Sequence, residues 1–339
     1  MDRTPPGRTA PAGGPRPSSS GPADETALVE RLAAIGWKGN RAVLLGPGDD
    51  AAVLRGGLAV STDLMVEGVH FRFDWVTPAE AGFRAGAAAL SDMAAMGARP
   101  EAILVSMALP GRDPGLGEAL QRGVRGAGDR VGAVIAGGDV SRTTGPAMLD
   151  VVVVGRVRDG GVRRSGAKPG DDLWVSGAVG GAAAAVAAWS RGREPAPEAR
   201  ARFAAPPDRT GLGRSLAAKR LASAMIDISD GLVLDSRRLA TASGVAVRIR
   251  PDRVPVNVAA GGDLNQALEG GEDYELMFTA HPKGKERILA LGRELSVQLT
   301  RIGTVGQGAD VALEDGEGHH VRPGRGGYDH FMDPSGNPR

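Results

Sequence analysis

The stretch Gly46-Pro47-Gly48-Asp49-Asp50-Ala51-Ala52-Val53 has the composition of a short acidic turn followed by an apolar run. Two glycines and a proline favour a tight turn, and the apolar run after the two acids predicts a β-strand. Adjacent carboxylates repel each other, and a hard cation such as Mg²⁺, which prefers oxygen ligands, relieves that repulsion. A solvated turn is the ordinary alternative, because Gly, Pro and Asp are common turn residues. Taken alone the stretch favours the solvated turn, so a metal site needs partners elsewhere in the chain.

Composition limits the class of protein. The chain has 339 residues, enough for two domains with their own cores. Its 41 basic and 40 acidic side chains nearly cancel, which gives no argument for binding nucleic acid or an anionic membrane. The chain contains no cysteine, which excludes disulfides and thiol nucleophiles and fits a reducing, cytoplasmic location. No apolar run is long enough to span a bilayer.

The ends of the chain differ from its middle. Residues 1–23 are rich in Pro, Gly, Ser and Arg and lack the apolar core of a signal peptide. They have little to bury and predict a disordered tail, and residues 333–339 predict a second polar tail. Between the tails, helical and strand periodicities alternate. They predict an α/β fold of the α+β type, with a sheet domain over residues 24–158 and an α/β domain over residues 159–332.

Several acids in the first half could join the turn. Ser61 and Asp63 share a face of a predicted strand, whereas Thr62 points away unless the strand is ending. Asp92 lies in an Ala-rich helix whose start, Thr77-Pro78-Ala79-Glu80, has the pattern of a capping box. A turn cap and a solvated helix face are the ordinary alternatives for these acids.

The second half supplies a comparable acidic segment, Asp227-Ile228-Ser229-Asp230-Gly231, which follows a short apolar strand. The unusual acids are Asp49, Asp50, Asp63, Asp92, Asp139, Asp227 and Asp230. Together they suggest several divalent cations and a polyphosphate substrate, because phosphoryl transfer needs metals, positioned oxygens and a neutralising cation. Arg164 and Lys168 are candidates for that cation, although surface charge is the better interpretation of Lys168.

Glycine-rich segments add little to the assignment. The chain has neither a P-loop nor the protein-kinase loop set. The turn at residues 177–181 precedes a predicted helix and could hold a phosphate on its backbone N–H groups, which is a weak signal. Residues 192–209 carry Pro, Arg and Glu and predict an exposed connection.

Nine short motifs are spread along the chain between the two tails. They are Gly48-Asp49-Asp50-Ala51, Ser61-Thr62-Asp63, Gly68-Val69-His70-Phe71, Leu90-Ser91-Asp92-Met93-Ala94-Ala95-Met96-Gly97-Ala98, Gly137-Gly138-Asp139, Arg164-Ser165-Gly166-Ala167-Lys168-Pro169-Gly170-Asp171, Asp227-Ile228-Ser229-Asp230-Gly231, Gly270-Gly271-Glu272-Asp273-Tyr274-Glu275-Leu276 and Gly327-Tyr328-Asp329-His330-Phe331. Read together, these motifs resemble the thiamine-monophosphate kinase family of the aminoimidazole ribonucleotide synthetase superfamily. They run in family order over about residues 24–332, and nine in register are far more specific than any one.

The resemblance implies direct in-line transfer of the γ-phosphoryl group of ATP to thiamine monophosphate, assisted by several Mg²⁺ ions. It implies a homodimer paired through the amino-terminal sheets, with active sites in clefts between the domains. The metal ligands it implies are Asp50, Ser61, Thr62, Asp63, Asp92, Asp139, Asp227 and Asp230. The ATP contacts it implies are Gly138, Asp139, Arg164 and Ser229, with Asp230, Asp139 and Arg164 as the catalytic group. The thiamine contacts it implies are His70, Glu272 and Tyr328, and the Tyr328 ring could stack on the positively charged thiamine ring.

Other members of the superfamily fit the sequence less well. Selenophosphate synthetase normally carries an amino-terminal cysteine or selenocysteine, and the hydrogenase-maturation relative ends in a reactive cysteine, whereas this chain has none. Aminoimidazole ribonucleotide synthetase lacks the motifs that pair with thiamine. A non-catalytic binder of nucleotide or thiamine phosphate is the alternative from another class, and it would be expected to lose several of the acids that are present here.

Overall fold

The structure is a computed structural model and describes residues 25–111, 114–317, 319–321 and 327–328. The predicted tails, at residues 1–23 and 333–339, lie outside the described residues, as do Asp329, His330 and Phe331 of the last motif. The chain divides into two compact units, and helix α1 (Glu25–Gly36) is the described part of the smaller one. Both sheets lie in the larger unit, Trp37–Tyr328.

The first sheet has six strands. They are β1 (Val43–Leu45), β2 (Ala52–Leu54), β3 (Leu58–Val66), β4 (Arg99–Pro110), β5 (Val134–Thr143) and β6 (Met148–Arg156). Their spatial order is β1-β2-β3-β6-β4-β5, and every neighbouring pair is antiparallel except β4 with β5. The short connection between β1 and β2 is the acidic turn, so the sheet fixes both ends of that turn.

Two helices, α2 (Pro78–Ala95) and α3 (Pro114–Val131), pack on one face of this sheet. The predicted capping box of α2 is confirmed, since Thr77 accepts the Glu80 N–H and the Glu80 carboxylate accepts the Thr77 N–H. Glycine allows the two helices to approach closely. A Cβ on Gly82 of α2 would lie 2.0 Å from the Leu120 carbonyl oxygen of α3.

The other face of the sheet is exposed. Leu64 on β3 is 53% exposed and Leu104 on β4 is 37% exposed, although both are large apolar side chains. Residues paired across strands share a face, so Leu64, Asp150, Ser106 and Asp139 form one row on this exposed side. The two faces therefore differ in chemistry, which matters for every site residue on β3 and β5.

The second sheet has seven strands and lies in the later part of the chain. They are β7 (Asp172–Ser176), β8 (Ala224–Asp227), β9 (Ala246–Ile249), β10 (Leu276–Ala280), β11 (Leu299–Gly306), β12 (Val311–Glu314) and β13 (His320–Val321). Their order is β13-β12-β9-β11-β7-β10-β8, with β12 and β9 the parallel pair. The helices are α4 (Gly181–Ser190), α5 (Pro197–Ala204), α6 (Thr210–Ala218), α7 (Leu232–Ser243), α8 (Leu264–Glu269) and α9 (Lys285–Leu295), and the 3₁₀ turns are Pro251–Arg253, Val258–Ala260 and Pro282–Gly284.

Helix α2 belongs to the cores of both halves. Its middle packs on the first sheet, while Ala94 and Ala95 pack in the core that contains Trp174 and Phe278 of the second sheet. Asp92 is therefore carried by an element that both sheets hold in place. The predicted fold class is confirmed, and the boundary near residue 158 stays a prediction because both sheets lie in one compact unit.

The prediction of an exposed connection at residues 192–209 is wrong. Helix α5 forms within it, and Ala199, Phe203 and Ala204 are buried. The segment is polar on average, but its three apolar residues pack on α4 and α2, which the average composition does not reveal. Among the described residues, the structure contains no helix long and apolar enough to cross a bilayer.

Candidate active site

Three carboxylates from distant parts of the chain meet beside α2. Asp50 lies in the acidic turn, Asp92 lies on α2, and Asp227 ends β8. One oxygen of each lies within 4.8 Å of the others. Asp50 and Asp227 are buried, and Asp50 Oδ2 has no hydrogen-bond partner among the described residues. A buried, unpaired carboxylate oxygen facing two more carboxylates fits a hard divalent cation, which supplies the missing positive charge.

The charges of this three-carboxylate group interact strongly. Burial and the neighbouring Asp227 and Asp50 carboxylates raise the pKa of Asp92 well above its usual value. Burial, Asp50 and Asp235 likewise raise the pKa of Asp227. Each ionised form is costly because a low-dielectric site must hold several like charges. A bound cation would reverse this balance and favour all three ionised carboxylates.

Arg164 provides the positive charge that the structure shows at this group. Its Nη2 and Nε lie 2.7 and 3.1 Å from Asp50 Oδ1, and its backbone N–H donates to both oxygens of Asp49. Burial, followed by repulsion from Asp50, raises the pKa of Asp49 to about 6. Asp49 therefore positions the Arg164 backbone, whereas Asp50 faces the other two acids.

The end of α7 holds the Arg164 loop in place. Ser243 Oγ donates to the Arg164 carbonyl at 2.8 Å and accepts the N–H groups of Gly166 and Ala167. Lys168 is exposed, and its backbone N–H donates to Asp171 Oδ2 at 3.0 Å. Of the two cations that the sequence offered for the phosphate, Arg164 lies at the three carboxylates, whereas Lys168 is an exposed side chain.

Strand alternation divides the Ser61-Thr62-Asp63 motif. Ser61 is buried on the helix side, and burial raises the pKa of Asp63 to about 6 against the opposing charge of Arg84. Thr62 points to the exposed face, where its hydroxyl donates to Asp150 Oδ1 at 2.6 Å. Strand β3 continues to Val66 and does not end at the motif, so Thr62 stays on the face opposite to Ser61 and Asp63. The Thr62 side chain is not brought to the three-carboxylate group.

Asp139 and Gly138 are also apart from this group. Both lie on β5, the edge strand, and both are exposed. Asp139 pairs with Ser106, which pairs with Asp150, and this row faces away from α2. The sequence could not show this, because a Gly-Gly-Asp motif does not reveal which face of a sheet its acid will occupy.

The Ser229-Asp230 turn is held by two residues that the sequence reasoning missed. Asp235 Oδ2 accepts the N–H groups of Ser229 and Asp230, both at 3.1 Å. Arg238 bridges Asp230 and Asp235, with 2.7 Å from its Nη1 to Asp235 Oδ1. The sequence did contain a signal for this anchor, because Asp235 is an acid in the first turn of a helix, where the positive end of the helix dipole favours a carboxylate.

Two of the three residues predicted to contact thiamine lie beside this turn. The Glu272 N–H donates to the Ser229 carbonyl at 2.6 Å, and the Tyr328 N–H donates to the Asp230 carbonyl at 3.1 Å. Tyr328 is 41% exposed. The third, His70, accepts the Val66 N–H on Nδ1 at 3.0 Å. Burial and, after it, the Asp230 charge raise the pKa of Asp63, so Asp230 lies within electrostatic reach of this metal-binding candidate.

The glycine-rich turn at residues 177–181 already has an internal carboxyl group at its helix. Asp273 Oδ2 accepts the Gly180 N–H at 2.7 Å, at the start of α4. The nearby Glu275 carboxylate is fully buried and would lie 2.0 Å from a Cβ on Gly177. Internal carboxylates thus occupy this turn, and the weak phosphate signal does not identify a free phosphate site.

Known proteins are similar to this chain along most of its length. Residues 48–157 match the family model described as AIR synthase related protein, N-terminal domain, and residues 168–316 match its C-terminal domain. A thiamine-monophosphate kinase from Mycobacterium tuberculosis is 41% identical over 268 residues, 75% of this chain and 79% of the relative. A solved thiamine-monophosphate kinase from Stenotrophomonas maltophilia is 36% identical with a TM-score of 0.71, covering 85% of this chain and 96% of its own.

A further solved structure is described as AaThiL complexed with AMPPCP and TMP. It is 30% identical, has a TM-score of 0.77, and covers 91% of this chain and 97% of its own. The two family models together span most of the described larger unit, in the order expected from the sequence. The chain therefore belongs to the AIR synthase related proteins and, within them, to the thiamine-monophosphate kinase family.

Proposed function

We propose that this protein transfers the γ-phosphoryl group of ATP to the phosphate of thiamine monophosphate and so forms thiamine diphosphate. The observation that carries the proposal is the three-carboxylate group of Asp50, Asp92 and Asp227 with Arg164 beside it, in a chain of this family. The related structure that contains AMPPCP, an ATP analogue, together with TMP supports both substrates. In-line transfer is part of the proposal, because it needs positioning and charge neutralisation rather than a protein nucleophile.

Magnesium is the cation that we propose for the site. The donor set is carboxylate oxygen, which Mg²⁺ prefers, and the buried Asp50 Oδ2 lacks any other described partner. Asp50, Asp92 and Asp227 would hold the ion, with Asp63 and Asp230 adjacent. When bound, the ion supplies charge neutralisation at the phosphate oxygens.

The chain's own residues would do the remaining work of positioning. Arg164 offers a planar guanidinium that suits bidentate contact with a phosphate. Ser229 and Asp230 are fixed by Asp235, so the turn presents the same geometry to each substrate. Glu272 and Tyr328 are bonded to that turn through their backbones, which supports a thiamine site next to the phosphate site. Because Asp139 and the Thr62 hydroxyl face away, we do not assign them to the metal in a single chain.

We also propose a homodimer in the cytoplasm. The exposed sheet face carries Leu64 and Leu104, 53% and 37% exposed, and a partner sheet would bury them. The sequence has no cysteine, which suits a reducing compartment. Sedimentation of the purified chain should give twice the monomer mass. A monomer at micromolar concentration would contradict the dimer and would leave the catalytic proposal in place.

The catalytic proposal is tested by incubating the purified protein with Mg-ATP and thiamine monophosphate and measuring thiamine diphosphate. We expect product from the wild type and at least about a hundredfold less from Asp227→Asn, since a lost electrostatic contact at phosphoryl transfer has effects of this order. The matched control is Asp159→Asn, whose carboxylate is 83% exposed. A folded wild-type protein that makes no product with either Mg²⁺ or Mn²⁺ would refute the kinase assignment and favour a non-catalytic binder.

A further inference from the structure

Arg84 is a fully buried cation that neither the motifs nor the metal site accounts for. It lies on α2, and its relative exposure is 0%. Its Nη1 donates to the Phe203 carbonyl at 2.6 Å, and its Nε donates to the His70 carbonyl at 3.3 Å. Its Nη2 forms an ion pair with Glu272. One side chain therefore contacts the His70 turn, the end of α5 and the Glu272 loop.

Aromatic rings enclose the same guanidinium. Its central carbon lies 3.9 Å from the ring centroid of Phe203 and 5.8 Å from that of Tyr274. A desolvated guanidinium above a ring face gains cation–π attraction, so these rings stabilise the charge without adding a second counter-ion. Glu272 carries the formal charge that balances Arg84, and its side chain is 25% exposed.

The backbone of the Glu272 loop needs such support. Glu272 has φ 71° and Tyr274 has φ 50°, both in the left-handed region that non-glycine residues seldom occupy. Conformations of this kind persist only where surrounding contacts hold them. The Glu272 carboxylate is anchored by Arg84, while its N–H is anchored by the Ser229 carbonyl. The loop is thus fixed at both its side chain and its backbone.

We propose that Arg84 is the positioning residue of the thiamine-phosphate site, fixing the Glu272 carboxylate and the His70 turn in the geometry that receives the substrate. This rests on the proposed function, in which His70 and Glu272 contact thiamine monophosphate. An arginine suits the task because its planar fork reaches three acceptors in fixed directions, which the single ammonium group of a lysine does not. The helix that carries Asp92 therefore also sets the substrate pocket.

The kinetic test compares Arg84→Met with Arg200→Met. Arg200 also joins α5 to α2, through a bidentate ion pair with Glu80, but it contacts neither predicted thiamine residue. We expect Arg84→Met to raise the KM for thiamine monophosphate about tenfold or more, as for a lost hydrogen bond to a charged group, with the KM for ATP changed less than about twofold. Arg84→Lys, which keeps the charge, should recover part of the loss. Equal KM values for thiamine monophosphate in Arg84→Met and Arg200→Met would overturn the proposal.

A double-mutant cycle asks whether Arg84 acts through Glu272. If it does, Arg84→Met combined with Glu272→Gln should raise the KM little more than either change alone. Additive effects would overturn the role of Arg84 in fixing the Glu272 carboxylate. If Arg84→Met does not fold, Arg84→Lys and Arg84→Gln serve in the same cycle.

Hydrogen exchange gives a readout that does not depend on turnover. We expect amides in residues 67–72 and 270–274 to exchange faster in Arg84→Met than in the wild type or Arg200→Met. Unchanged exchange in both segments would overturn the positioning role. A wild type without kinase activity would refute the proposed function instead, and the exchange result would still decide whether Arg84 holds the two segments.

Discussion

Replacing Glu275 with glutamine should destabilise the protein without any change in its shape. Glu275 is fully buried and lies immediately before β10, the strand that enters the second sheet. Its carboxylate accepts hydrogen bonds from Ser176 Oγ at 2.6 Å, from Arg202 at 2.9 Å and from Arg209 at 2.5 and 2.8 Å. Glutamine keeps the volume, but it removes the negative charge and turns one acceptor into a donor that faces an arginine.

The size of the effect follows from the exposure of the partners. Breaking a buried ion pair by removing one partner costs about 3–5 kcal/mol, because the other charge stays buried and uncompensated. The side chains of Arg202 and Arg209 are 23% and 15% exposed, so water can take over part of their charge. We therefore expect the free energy of unfolding to fall by about 3 kcal/mol, near the lower end of that range.

Urea unfolding, followed by circular dichroism and tryptophan fluorescence, measures this loss. The matched control is Glu118→Gln, since Glu118 and Arg122 form an ion pair whose side chains are both 66% exposed. That control should change the free energy of unfolding by less than about 0.5 kcal/mol. If Glu275→Gln costs no more than Glu118→Gln, the two arginines do not depend on this charge and the reasoning fails.

Three further outcomes are expected. Burial raises the pKa of Asp273 to about 7, so the folded state keeps a proton that the unfolded chain releases near pH 4, and the free energy of unfolding falls as the pH rises between these values. The stability advantage of Asp273→Asn over the wild type in urea unfolding should therefore grow from pH 5 to pH 8, by at most about 4 kcal/mol. An equal advantage at both pH values would contradict this. Asp235→Ala should lower kcat about tenfold or more with the fold intact by circular dichroism, because the Ser229-Asp230 turn loses the oxygen that accepts both of its N–H groups. Unchanged turnover would remove Asp235 from the positioning set. Thr62→Val should keep kcat within about twofold of the wild type in the same assay, because its hydroxyl bonds Asp150 on the exposed face, and a large loss would restore Thr62 as a ligand.

Local patterns in the sequence predicted the elements that present the site. The capping box of α2 was readable from Thr77 and Glu80, because capping depends on residues three positions apart. The alternation of β3 correctly placed Ser61 and Asp63 on one face. The meeting of Asp50, Asp92 and Asp227 followed from the family motifs, and the structure brings these three together.

Long-range charge pairing could not be read in the same way. Arg202 and Arg209 look like surface residues in a polar segment, yet both are needed by the buried Glu275, far along the chain. Arg84 similarly stands alone in an Ala-rich helix, and its acceptors come from three separate segments. Composition describes the average solvation of a segment, whereas these contacts depend on which distant residues tertiary folding brings near.

The pairing of Arg164 with Asp50 has a consequence for how ligands reach the site. The same guanidinium that is suited to a phosphate occupies Asp50 Oδ1, at 2.7 Å. A cation at the three carboxylates must compete with Arg164 for Asp50. A phosphate that binds Arg164 must compete with Asp50 for the guanidinium. Each ligand therefore removes a competitor of the other, and thermodynamic reciprocity makes the two enhancements equal. We expect the nucleotide and the cation to bind cooperatively, with the cation held weakly by the protein alone.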